Sequence, residues 1–383
     1  MNKIKILIRI ASLEGGGSEK SLIFLLKNIN HSKYEVDLLL NCKTGPYLND
    51  LPKEVKLYYL IKGDEFLSST LWIRSIQKTY YFFKGRIFER FLLIYFWTLR
   101  NKNYDVEIAF TENMAIGLVR SPLKSKKLAW VHIDLEEKAN YNMITEREKE
   151  LTLSCLNKMN TIIVVSKQCR DVLFSLSPEL MHKTHMIYNP IDIDELIRQS
   201  NEFHLEEKHG KIKLLAMGRL VLQKGFDRLI NVCHKLRKQG FDFELCILGE
   251  GPDRNKLSDQ IRALELDDIV KLVGYKINPY PYVRAADIFV MSSRYESMSY
   301  VVLEALILNK PIISTDVVGP PELLKGGELG LLVENSEEKL YEGLKRMILD
   351  NEFRESFIHK EKDFSAFDPK YIAQQVEKVI DSL

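Results

Sequence analysis

Short apolar runs alternate with longer helical patterns along the chain. Residues 3–10 (KIKILIRI), 34–41 (YEVDLLLN), 104–110 (YDVEIAF), 127–133 (KLAWVHI) and 161–166 (TIIVVS) are dense in β-branched and aliphatic side chains. Turn residues or helical spacing follow each run, which is the rhythm of strand–helix units wound around a parallel sheet. The rhythm restarts after MIYNPIDIDEL and the polar stretch 200–211, with KIKLLAMG (211–218), DFELCILG (242–249), IVKLVG (269–274), ADIFVMS (286–292) and KPIIST (310–315). Helical patterns at 224–239, 253–264, 299–308 and 336–348 lie between these runs. Two doubly wound α/β domains are therefore expected, spanning 1–190 and 191–365. The segment 366–383, which contains PKYIAQQVEKVIDSL, reads as a helix that returns to the first domain. Sheets of this type bind ligands beyond the carboxyl ends of their strands, so a cleft between the domains is the expected site.

At 383 residues the chain exceeds what one ordinary core organises, in keeping with two domains. Lys and Arg outnumber Asp and Glu by a formal charge of only +2, so no global field gathers nucleic acid, and any anion site must come from local placement. The five cysteines are scattered and form no CxxC pair, as expected of reduced thiols in a cytoplasmic protein. IKILIRI is too short and too charged for a secretory leader, and no stretch of 18 uncharged apolar residues predicts a membrane span. One region changes that picture. Residues 66–103 carry seven cations, many aromatics and a single acid, Glu89. That composition suits peripheral contact with an anionic membrane, although ordinary core helices with solvated cations read the same way.

Candidate chemistry concentrates in the second half. In AMGRLVLQKGFDRLI a strand ends at Met217, Gly218 permits a turn, and Arg219 and Lys224 follow. An Arg fork and a Lys point charge at strand ends make a cradle for a diphosphate. LGEGPDRNKL places a tight glycine loop after the next strand. In SSRYESMSYVVLEALILNKPIIST, Glu296 lies in a loop and Glu304 interrupts an apolar helix that starts near Met298 or Ser299. An unpaired buried carboxylate is costly, so Glu304 is expected to accept hydrogen bonds from a ligand such as a sugar. The helix start offers free N–H groups to phosphate. In the first half, IASLEGGGSEKSL follows strand one but misses both the dinucleotide and the P-loop spacing. LAWVHIDL sets His132 at a strand end. Asp192 and Asp194 form an acid-x-acid pair better explained by a helix cap than by a metal.

Taken in order, IYNPIDI, GRLVLQKGFDRLI, LGEGPDRNKL, the segment from LVGYKINPYPYV to SYVVLEAL, and KPIISTDVVGPPELL resemble the retaining glycosyltransferases of family 4, with the GT-B fold of two Rossmann-like domains facing across a cleft. EGGGSEKSL, VHID and TIIVVSKQ carry a thinner match in the first half, which reads the acceptor in this family. The resemblance implies a metal-independent hexosyltransferase that uses a nucleotide-sugar, UDP-sugar before GDP-mannose. Its acceptor would be a glycan or, on the membrane reading of residues 66–103, a lipid-linked oligosaccharide, which points to bacterial capsule or O-antigen assembly at the inner face of the membrane. Arg219 and Lys224 would hold the diphosphate, Glu304 the ribose and Glu296 a hydroxyl of the transferred sugar. Met298, Ser299 and Tyr300 would offer backbone N–H groups, and Gly274, Tyr275 and Ile277 would line the base. Gly16 and Gly17 would approach the diphosphate, and His132 the donor sugar. The pattern departs from the family at Ser297, commonly Gly, and at Met298, commonly aromatic. A 2-epimerase of the same fold, a glycosidase with paired acids and a non-catalytic nucleotide-sugar sensor are the competing readings.

Overall fold

The computed structural model describes residues 3–63, 102–141, 144–205, 210–358 and 360–383. The basic aromatic segment 66–103 lies outside these residues except for Lys102 and Asn103. The chain divides into two compact units, Met1–Ile191 with Ala366–Leu383, and Asp192–Ser365.

The first unit is built on seven parallel strands, β1 (Ile4–Ile10), β2 (Tyr34–Lys43), β3 (Lys56–Lys62), β4 (Val106–Ala109), β5 (Lys126–Val131), β6 (Thr161–Val164) and β7 (Thr184–Met186), in the order β3-β2-β1-β4-β5-β6-β7. Ile6, Leu7 and Ile8 of β1 are wholly buried on both faces, as a central strand covered by helices requires. Two buried acids enter this sheet and each is paired. Asp37 of β2 accepts from Lys102 Nζ at 2.9 Å and from the Tyr104 hydroxyl. Glu107 of β4 pairs with Lys127 and accepts from the Ser121 and Ser125 hydroxyls at 2.9 and 2.6 Å.

The helix Pro369–Asp381 closes the first unit. Its buried face is Ile372, Ala373, Val376, Val379 and Ile380, with Asp368 capping its start on the Tyr371 N–H. Polar contacts set its register: Glu377 accepts from the Asn30 N–H at 2.8 Å, and Asp381 accepts from the Tyr34 hydroxyl at 2.6 Å and pairs with Lys33.

The second unit holds six parallel strands, β8 (Ile212–Met217), β9 (Phe243–Leu248), β10 (Val270–Gly274), β11 (Ile288–Met291), β12 (Ile312–Thr315) and β13 (Leu331–Val333), in the order β10-β9-β8-β11-β12-β13. Its core joins Leu214 and Ala216 of β8 to Leu229, Ile230 and Cys233 of the helix Phe226–Lys238 and to Leu340 and Leu344 of the helix Glu337–Leu349. In both sheets the winding reverses once, between β1 and β4 and between β8 and β11. A reversal leaves a crevice at the carboxyl ends of the two strands, because their following loops turn away from each other. The structure adds three strands that the apolar pattern does not mark, β3, β7 and β13, and all three are sheet edges.

Ile380, 3% exposed, is expected to lose about 2–5 kcal/mol of first-unit stability on truncation to Ala. Urea denaturation followed by a first-unit tryptophan, Trp130, measures it; an unchanged midpoint would show that the helix does not close the unit.

Candidate functional site

In the second unit the functional side chains gather where β8 and β11 end. Beyond β8 the chain passes Gly218 and Arg219, makes the short turn Leu222–Lys224, and enters its helix through Gly225 at φ +65°. Only glycine fits at 225: the backbone is left-handed, and a Cβ would collide with the Ser292 carbonyl. That contact presses the turn carrying Lys224 onto the loop after β11. There Lys224 pairs with Glu296, whose Oε1 also accepts from the Ser293 hydroxyl at 2.8 Å. The Lys and Glu side chains are only 17% and 8% exposed, so each charge depends on the other. Arg219 is exposed at the tip of β8 and makes no ion pair among the described residues.

The loop that carries Glu296 is anchored by groups the motif reading does not single out. Arg228, buried in the first turn of Phe226–Lys238, donates to the Ser292 carbonyl from Nε and Nη2 at 2.8 and 2.6 Å, and to the Ser293 carbonyl at 2.6 Å. Thr315 at the end of β12 donates to the same Ser293 carbonyl at 2.6 Å. Gln223 donates to the Tyr295 carbonyl at 3.0 Å, and Arg294 forks onto Asp227 at 2.7 and 2.8 Å. Arg228 has no such mark in the sequence as Glu304 has: Asp227 precedes it, and Lys224, Gly225 and Asn231 stand at helical spacing from it.

The helix expected over 299–308 spans Tyr300–Ile307, with Ser299 as its N-cap. An N-cap serine ordinarily spends its hydroxyl on the first turn. Ser299 does not, and its buried Oγ has no hydrogen-bond partner. Met298 and Tyr300 are buried beside it. Gly319, at φ +98° after β12, admits the Ser297 carbonyl into the space a Cβ would fill, which fixes this loop from the far side. Glu304 is 4% exposed, and its Oε1 accepts from the Tyr280 hydroxyl at 3.1 Å. The carboxylate therefore has a protein donor of its own, where the sequence had suggested that a ligand alone satisfies it. Burial, and then the Glu304 charge, push the Tyr280 phenol far above its ordinary pKa, so it stays a donor. Gly274 ends β10, and beyond it Tyr275 and Ile277 are exposed, Ile277 to 91%. The second sheet edge thus brings Lys224 and Glu296 into contact and sets Arg219, Gly274 and Glu304 at or beyond neighbouring strand ends.

Gly16, Gly17 and His132 belong to the first unit. Gly16 caps the helix Gly17–Asn28 with ordinary φ, and the left-handed turn falls on Gly15. Ser21 of that helix, fully buried, donates to Asn189 Oδ1 at 2.9 Å. His132 follows β5 and stacks on Trp130 with ring centroids 6.0 Å apart, while Phe110 tilts against both. Burial pushes its pKa down to about 3 against the opposing effect of a hydrogen bond to the Phe110 backbone. The ring is neutral at pH 7, and its buried Nε2 has no partner. In the second unit, Asp192 caps the helix Ile193–Ser200, accepting from the Glu195 N–H at 3.0 Å.

Comparison with known proteins bears on the half of the chain that holds the ion pair. Residues 197–364 match the family model described as glycosyl transferases group 1. The chain is 34% identical over 211 residues to N-acetylgalactosamine-N,N'-diacetylbacillosaminyl-diphospho-undecaprenol 4-alpha-N-acetylgalactosaminyltransferase of Campylobacter jejuni, covering 54% of this chain and 55% of that relative. It is 32% identical over 142 residues to the lipopolysaccharide core biosynthesis glycosyltransferase LpsE of Rhizobium meliloti, covering 37% of this chain and 41% of the relative. The chain thus spans about half the length of these curated relatives. The crystal structure of HepE from Anabaena in complex with UDP and glucose superposes with a TM-score of 0.77 at 19% identity, covering 99% of this chain and 100% of that one. That likeness, with the two parallel-sheet units, shows the GT-B fold.

His132 ties stability to pH. Its folded pKa lies below the unfolded value, so between about pH 6.5 and 3 the unfolded chain binds the extra proton and stability falls as pH falls. Each pH unit in that window costs up to about 1.4 kcal/mol from this group. His132→Gln is expected to flatten the acid limb of melting temperature against pH from 6.5 to 4. An unaltered slope would show that the imidazole titrates normally.

Proposed function

We propose that the protein is a retaining glycosyltransferase that moves a hexosyl group from a nucleoside diphosphate sugar to a saccharide or lipid-linked saccharide in surface polysaccharide assembly. The observation that carries this reading is the buried Lys224–Glu296 pair at the sheet reversal of the unit that matches glycosyl transferases group 1. Lys224 and Arg219 receive the diphosphate, and they stabilise the charge that develops on it as the anomeric bond breaks. No metal is assigned this task, because the two cations supply the positive charge. The Ser299 hydroxyl and the first-turn N–H groups near Met298, Ser299 and Tyr300 complete the anion site. Glu304, braced by Tyr280, accepts from the ribose hydroxyls, and the Gly274–Ile277 loop faces the base. Glu296 accepts from a hydroxyl of the sugar.

In this mechanism the C1–oxygen bond to the diphosphate breaks and its electron pair stays with the diphosphate oxygen. The acceptor hydroxyl bonds C1 on the same face, and its proton passes to the departing diphosphate. The first unit reads the acceptor, with His132 Nε2 left for a sugar hydroxyl; at Gly16 and Gly17 a phosphate would have to displace the Glu19 carboxylate, which fills the place of a Cβ on Gly16. Uridine is the first base to test, since HepE holds UDP and glucose in its crystal. The relatives named above are transferases, which leaves a 2-epimerase or a sensor without support. Contact of the 66–103 segment with an anionic membrane at the inner face remains part of the proposal.

Calorimetric titration with UDP, GDP and their sugars tests the donor. Glu304→Ala is expected to weaken nucleoside diphosphate binding at least about tenfold, and Lys224→Ala to lower kcat/KM about 10²–10³-fold. Product NMR should show the donor's anomeric configuration. Inversion would reject the mechanism, and conversion of donor without acceptor would favour the epimerase.

A further inference from the structure

Arg294 stands two residues before Glu296, and its contacts bracket Lys224. Its main-chain N–H donates to the Gln223 carbonyl at 2.7 Å, and Nη1 donates to the Leu222 carbonyl at 2.8 Å. Those are the two residues before Lys224. Nη1 and Nη2 fork onto Oδ1 and Oδ2 of Asp227, three residues after it, at 2.7 and 2.8 Å. The Arg294 carbonyl is held in turn by Asn335 Nδ2 at 2.9 Å, beyond β13. One residue therefore stitches the turn that carries Lys224 to the loop that carries Glu296, on both sides of the lysine. A planar guanidinium makes a two-point contact of this kind directional, which a lysine cannot do. Burial alone would raise the Asp227 pKa, but the Arg294 fork overrides it and holds the carboxyl below its ordinary range.

Resting on the transferase reading above, we propose that Arg294, held by Asp227, is a positioning residue that sets the register of Lys224 against Glu296. When a diphosphate enters, Lys224 exchanges its carboxylate partner for phosphate oxygens. The stitch keeps the ammonium within reach of the bond that breaks, while Glu296 turns to the sugar. Base and ribose contacts lie at Gly274–Ile277 and Glu304, outside the stitched segments. The pair therefore acts on the transition state more than on donor affinity. Arg228 anchors the same loop but is 7% exposed, whereas the Arg294 side chain is 19% exposed and leaves a site water can fill. Arg294 is the better probe for that reason.

The test is a double-mutant cycle on the full chain: wild type, Arg294→Ala, Glu296→Ala and the double variant, with Arg294→Lys and Asp227→Asn as conservative partners. Arg294→Ala is expected to lower kcat about 10–10²-fold, as a displacement of about 1 Å does. The donor KM and UDP affinity by calorimetry should change less than about threefold. The two conservative variants should fall between it and wild type. In the Glu296→Ala background, Arg294→Ala should cost less than about threefold, because no register remains to be kept. Additive losses, or a parallel loss of UDP affinity and melting temperature, would assign Arg294 to general stability and overturn the proposal. A wild-type chain that binds no nucleoside diphosphate overturns the reading of the site and this assignment with it. Normal turnover in both wild type and Arg294→Ala overturns the assignment alone.

Discussion

Two opposite charges buried against each other set the terms for the second unit. Lys224 and Glu296 arise 72 residues apart, on loops after different strands, and each would be expensive to bury without the other. A pair of apolar side chains of similar volume would stabilise the fold at least as well, so the ion pair is not explained by stability. The proposed function explains it by what the two groups would do on separating: a cation for phosphate and an acceptor for hydroxyls, held in a place water reaches poorly. Around the pair the fold spends its polar groups on precision. Arg228, Thr315 and Gln223 tie down successive carbonyls of one loop, and two glycines remove side chains where backbones must touch.

The sheet topology explains why such a pair can form there. In each unit the winding reverses at one place, and the residues with unusual chemistry follow the strands at or beside that reversal: the glycine loop after β1 and His132 after β5, then Arg219 after β8 and Glu296 after β11. Two groups left short of partners, the Ser299 hydroxyl in one unit and His132 Nε2 in the other, also sit at carboxyl ends. Elsewhere in the first sheet the buried acids Asp37 and Glu107 have acquired lysine and hydroxyl partners.

How much of this could be read from the residues depends on burial. Central strands such as β1 and β8 are covered on both faces and show as dense apolar runs, interrupted only by Lys5 and Arg9 in β1 and by Lys213 in β8. β3, β7 and β13 are edges with no fully buried residue: lysines and tyrosines dilute the run of β3, and β7 and β13, at three residues each, are too brief to separate from loops. Glu304 was visible as a charge in an apolar helix, but its partner Tyr280 was not, because an aromatic after a proline-rich turn carries no mark of what its hydroxyl will meet. Arg294 lies in the same stretch as Glu296, SSRYES. Its role depends on Asp227 and Asn335, 67 and 41 positions away, and no local spacing encodes such distances.

The helix Pro369–Asp381 has a consequence for biosynthesis. Residues 366–383 belong to the first unit but are translated after the whole of the second. A nascent chain emerging from the ribosome therefore has every strand of its first sheet but not the last helix, and the apolar surface that Ile372, Val376 and Ile380 cover stays bare while an entire second core condenses. The interval invites chaperone capture, and it makes a prematurely stopped product recognisable by the greasy surface it still displays.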